Sequence, residues 1–104
     1  MPDSTAPVIR LDELQRFALK EVSVGGRTIL LCRTRDEVLA CEPACTHAQM
    51  PLVSGWLRGT IVTCPHHGAR FDLKTGEVIT GPADDPLETY AVRVEEGEVY
   101  VDLA

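Results

Sequence analysis

Residues 64–76 read CPHHGARFDLKTG. Cys64 precedes two adjacent histidines, so the stretch offers either a Cys-x-His pair (Cys64, His66) or a Cys-x-x-His pair (Cys64, His67). Upstream, CTH at 45–47 offers a second pair, Cys45 and His47, with 16 residues between His47 and Cys64. Each pair brings one thiolate and one imidazole. Zinc accepts two cysteines and two histidines tetrahedrally, but its usual finger pattern keeps the cysteines together and the histidines together. A [2Fe–2S] cluster in which one iron keeps two cysteines and the other takes two histidines accounts better for the alternating order. Each loop then supplies one ligand to each iron. Two thiolates with two neutral imidazoles leave the oxidised centre near zero charge, against about −2 for four thiolates, so histidine ligation raises the potential.

The pairs sit in a stretch of distinct character. Residues 43–89 hold five of the seven prolines, five of the eight glycines and all three histidines. Short strands are expected there at WLRG, TIVT, ARFD and EVIT, with loops between them. Outside this stretch the strand signals are longer. FALKEVSV (17–24) alternates with one slip in register, which puts Phe17, Leu19, Val22 and Val24 inward. TILLCR (28–33) is a nearly continuous apolar run, as in a strand buried on both faces. VLAC (38–41) returns as its hairpin partner after the polar turn TRDE. YAVRVE (90–95) and EVYVDL (98–103) flank a turn at Glu96-Gly97, with Val99, Val101 and Leu103 on one face. The helix signal is weak; LDELQRF (11–17) could form one or two turns from Asp12. The fold class is therefore all-β, a small antiparallel domain of 8 to 10 strands with a loop-rich subdomain carrying the chemistry.

With 104 residues the chain fits one domain. Its core is modest at that size, and a bound metal centre would help to hold it. The net charge of −6 argues against nucleic acid and against an anionic membrane surface. No apolar run reaches the ~20 residues of a membrane span. The start, MPDSTAPVIR, does not read as a secretory signal, and residues 1–6 read as a disordered tail. The expected compartment is a reducing cytoplasm, where thiols serve metals more often than disulfides. Cys32 and Cys41 fall on the strands of one hairpin and read as small buried hydrophobes. Trp56 could serve as a docking aromatic but reads rather as packing below the metal-binding loops, and Asp84 and Asp85 could shape partner choice but read rather as solvated loop charges.

From about Val8 to Leu103 the chain resembles the Rieske-type [2Fe–2S] ferredoxins, whose pattern is Cys-x-His, a gap of about fifteen to seventeen residues, and Cys-x-x-His. The resemblance includes Gly55 and Gly59 before TIVTC, HG at 67–68, the FDLKTG turn at 71–76 and the proline loop GPADDPLETYAV at 81–92. It selects His67 over His66. The implied cluster ligands are Cys45, His47, Cys64 and His67, holding one cluster per chain, and His66 becomes a surface neighbour. The implied domain is 7–104, with a cluster-binding subdomain at about 43–82. The implied role is a soluble one-electron carrier, not itself an enzyme. It would run from a flavoprotein reductase to a terminal oxygenase such as an aromatic-ring-hydroxylating dioxygenase, in aromatic hydrocarbon catabolism. A monomer is expected. The rival readings are a Rieske-like small subunit of a nitrite reductase and a zinc-stabilised interaction module.

The chain departs from the Rieske subunits of respiratory and photosynthetic chains. Those carry a second cysteine in each loop, joined as a disulfide; Met50 and His66 stand at the corresponding positions. They also carry a serine and a tyrosine whose hydroxyls bond to sulfur, where Ala69 and Phe71 stand. Hydrogen bonds to sulfur stabilise the added charge of the reduced state. Their loss implies a potential at the low end of the ≈ −150 to +300 mV range, and a likeness to the soluble ferredoxins of bacterial oxygenase systems.

Overall fold

Two antiparallel sheets form the molecule. A computed structural model describes residues 7–46, 50–65, 68–81 and 85–102. The expected tail at 1–6, the histidines His47, His66 and His67, Asp84 and Leu103 lie outside the described residues. In chain order the strands are β1 (Ile9–Arg10), β2 (Leu19–Val24), β3 (Arg27–Arg33), β4 (Val38–Cys41), β5 (Trp56–Arg58), β6 (Ile61–Thr63), β7 (Arg70–Asp72), β8 (Val78–Thr80), β9 (Thr89–Glu95) and β10 (Glu98–Asp102). The larger sheet has the order β1-β10-β9-β4-β3-β2, and the smaller one β5-β6-β7-β8.

The long hairpins form where turn chemistry and alternation agree. Gly25-Gly26 and Glu96-Gly97 all have positive φ, the geometry that matches two-residue turns to strand twist. They fix the registers Val24↔Arg27 and Glu98↔Glu95. The apolar run of β3 is buried on both faces, as its composition predicts, because a separate core lies on each side. Leu30 and Cys32 face one core with Cys41, Cys45, Leu52, Val62, Cys64 and Phe71. Ile29 and Leu31 face the other with Leu14, Val24, Val38, Val99 and Val101.

Near the start of the chain one expectation is met in part and another fails. Only Leu11–Glu13 is helical, as a single 3-10 turn. Arg33 Nη1 reaches from β3 to the carbonyl oxygens of Leu11 and Leu14, at 3.1 and 2.6 Å, so the next helical turn loses an acceptor. Phe17 does not point inward. It is 50% exposed at φ 64°, and β2 begins only at Leu19. The left-handed residue breaks the alternation, and beyond it Leu19 packs against one core while Val22 and Val24 face the other.

Candidate metal centre

The two sequence motifs become two loops of one design. In the first, Cys45 N–H donates to the Met50 carbonyl at 2.8 Å, and an isolated bridge pairs Ala44 with Pro51. In the second, Cys64 N–H donates to the Ala69 carbonyl at 2.8 Å, and Gly68 N–H donates back to the Cys64 carbonyl at 3.1 Å. In both loops a cysteine at the root closes onto the residue five positions later. His47 lies within the first span and His67 within the second.

Both cysteines are buried, Cys45 at 1% exposure and Cys64 at 2%, and both belong to one core with Leu52, Leu57, Val62, Ala69, Phe71 and Leu73. None of the four cysteines forms a disulfide. The setting fits a metal–sulfur centre. Sulfur donors from two loops converge on one apolar region, where negative charge is costly unless a cation compensates it. The structure thus places Cys45 and Cys64 in one core. Cys32 and Cys41 lie deeper, fully buried on β3 and β4. The Cys32 thiol is pushed well above its ordinary value, first by its hydrogen bond with Cys41 and then by burial. This keeps it neutral, as expected of a small hydrophobe and not of a ligand.

Several supporting contacts escaped the sequence reading. Thr46 Oγ1 donates to the Asp85 carbonyl at 2.6 Å, tying the first loop to the proline loop. On the other side Leu87 N–H donates to the Gly76 carbonyl at 2.8 Å. Gly76 sits at φ 81°, and a Cβ there would meet the Leu87 carbonyl oxygen at 2.1 Å. Asp72 Oδ1 shapes the same turn by accepting from Lys74 N–H at 2.9 Å. The proline loop is therefore fastened both to the first cysteine loop and to the β7–β8 turn. The lone visible signal was the glycine that ends FDLKTG.

Trp56 corrects an expectation. It is 54% exposed and does not pack below the loops. The register of the small sheet gives the reason. Leu57, Val62, Phe71 and Val78 align across β5 to β8 and turn inward, which sends Trp56 to the opposite face.

Comparisons with known proteins agree with this centre. The Rieske [2Fe-2S] domain family matches residues 4–91. The chain is 36% identical over 95 residues to ferredoxin CarAc of Metapseudomonas resinovorans, covering 90% of this chain and 89% of that protein. It is 34% identical over 96 residues to the ferredoxin component of the naphthalene 1,2-dioxygenase system of Pseudomonas putida, covering 92% of each. It also matches a chain in the structure of the complex of reduced oxygenase and oxidized ferredoxin in carbazole 1,9a-dioxygenase. There the TM-score is 0.86 at 35% identity, covering 93% of this chain and 100% of that one.

Proposed function

The chain belongs to the Rieske [2Fe-2S] domain family, and from that premise we propose that it is the one-electron carrier of a multicomponent oxygenase system. Its cofactor is a Rieske-type [2Fe–2S] cluster, and it serves as an electron-transfer component of such a system and not as its catalyst. When bound, the cluster takes up and returns one electron. The observation that carries the reading is the pair of equally closed loops, which bring Cys45 and Cys64 into one buried apolar core.

The ligand set in this reading is Cys45, His47, Cys64 and His67, with His66 as a neighbour, and the cluster-binding subdomain is about 43–82. The two loops support it, since each holds one cysteine at its root and histidine in its span, His47 in the first and the adjacent His66 and His67 in the second. The apolar core shields the sulfur side from water. The acceptor is a terminal oxygenase, supported by the relative found in complex with one. An aromatic-ring-hydroxylating dioxygenase is the favoured acceptor, since the naphthalene relative belongs to a dioxygenase system. The donor we propose is a flavoprotein reductase that draws on a nicotinamide, and the compartment is the cytoplasm. No helix among the described residues is long and apolar enough to cross a membrane.

Single alanine replacements test the ligands. Cys45→Ala, His47→Ala, Cys64→Ala and His67→Ala should each abolish the mixed-ligand cluster spectrum and destabilise the domain. His66→Ala should leave both unchanged. A His66→Ala protein that bleaches, beside a His67→Ala protein that does not, would overturn this ligand set.

A further inference from the structure

The solvent face of the small sheet carries two ordered rows. Trp56, Thr63, Arg70 and Thr80 align across β5 to β8, and Arg58, Ile61 and Asp72 align across β5 to β7. Trp56, Arg58, Ile61, Thr63 and Arg70 line one depression of about 310 Å³. It is locally cationic on a chain whose net charge is −6. Two exposed guanidiniums flank the chain's sole tryptophan. Neither arginine forms an ion pair among the described residues, a state shared with Arg16, Lys20, Arg33 and Arg35, whereas Arg10, Arg27, Lys74 and Arg93 are paired. Arg70 is nevertheless held in place, with Nε and Nη2 both donating to Thr80 Oγ1 at 3.1 and 2.9 Å. The carboxylate on this face, Asp72, is engaged through Oδ1 by Thr60 Oγ1 and Lys74 N–H.

This face is continuous with the metal centre. Thr63 immediately precedes Cys64. Gly55, next to Trp56, lies so close to the second loop that a Cβ there would meet the Thr63 carbonyl oxygen at 2.0 Å and Pro65 Cδ at 3.2 Å. The start of β5 is thus pressed against the strand end that delivers Cys64.

We propose that the Trp56–Arg58–Arg70 face docks a carboxylate-rich surface of a redox partner protein. The arginines receive the carboxylates, and the indole supplies the apolar anchor. An exposed tryptophan beside arginine is the composition of an interface hot spot. A local cationic patch on an acidic molecule fixes the orientation of approach more than it adds affinity. The inference rests on the electron-carrier reading, because only a carrier gains from seating a partner one strand away from its metal ligand.

Titration of the holoprotein with poly-L-glutamate, followed by Trp56 emission at low salt, tests the proposal. The expected result is a saturable change that is lost at about 0.15 M salt, where the Debye length is about 8 Å. The double variant Arg58→Glu/Arg70→Glu should bind about tenfold or more weakly. Arg16→Glu/Arg35→Glu, which makes the same change in net charge elsewhere, should bind as the parent does. No emission change, or equal weakening in both double variants, overturns the proposal. Equal saturation by monomeric glutamate at the same residue concentration would mean a small-anion site and overturn it too. So would a shift in oligomeric state on reversing Arg58 and Arg70, which would make the occupant a second copy. The visible spectrum of the same samples separates the two readings. A colourless protein defeats the carrier reading, whereas a coloured protein with an inert face defeats the docking surface alone.

Discussion

Ala69 and Phe71 are fully buried in the same core as Cys45 and Cys64. That placement puts any hydroxyl added there among the sulfurs' apolar neighbours and away from water. Ala69→Ser and Phe71→Tyr should therefore each raise the reduction potential, and the double change should raise it further. A hydrogen bond to a charged group is worth about 1.5–3 kcal/mol in all, but only the part gained on reduction counts. With about 60 mV for 1.4 kcal/mol in a one-electron couple, a few tens of millivolts per hydroxyl is expected. Voltammetry on the three variants decides, and an unshifted double variant would break the link. The apolar character of these positions was readable from the sequence. The orientations of Trp56 and Phe17 were not. A three-residue strand shows no alternation to read, and the face of Trp56 is set by pairing with β6. Phe17 fails because its left-handed backbone interrupts the period of two on which the inward assignment rested.

At the scale of the element, the loops and turns carry most of the new information. Gly76→Ala would place a side chain at φ 81° and against the Leu87 carbonyl. The left-handed backbone alone costs about 1–2 kcal/mol, and the contact adds to it. A fall in Tm of about 8 °C or more is expected for a domain of this size. The proline loop should also show faster amide exchange at Leu87. The β3–β4 hairpin gives a second prediction. The raised Cys32 thiol should resist iodoacetamide in the native protein at about pH 8, and so should Cys41 behind it. A thiol raised by folding contributes stability below its ordinary pKa of about 8.5 and loses it as pH rises through the folded value. The parent should therefore lose stability more steeply than Cys32→Ala on the alkaline side, as followed by denaturant midpoints. The hairpins themselves were legible because turn residues and alternation agree. The Thr46–Asp85 tether was not, since a hydroxyl meeting a carbonyl 39 residues away leaves no local pattern.

For the whole molecule, the arrangement of cores matters more than either sheet. The core holding Cys45 and Cys64 and the core holding Val99 and Val101 lie on opposite sides of β3. The sequence showed that β3 would be covered on both faces, but not that one cover contains Cys45 and Cys64. That follows from how the second sheet packs, which no local pattern encodes. Removing iron with a chelator should accordingly lower the Tm of the entire domain by about 10 °C or more. The loss should appear in one transition and should include the β9–β10 hairpin. A surviving separate transition for that hairpin would show the cores to be independent.

A wall shared in this way links cofactor loading to turnover. A chain that never receives its cluster is left with a weakened β3, so its far hairpin opens more often and exposes backbone to proteases. Cleavage that proceeds through rare opening follows the population of the open form. Limited proteolysis should therefore cut the unloaded chain at sites remote from the cysteines, including the Glu96-Gly97 turn, while the loaded chain persists. In a cell the same difference would clear carriers unable to carry, and would keep the standing pool close to fully charged without any dedicated inspection step.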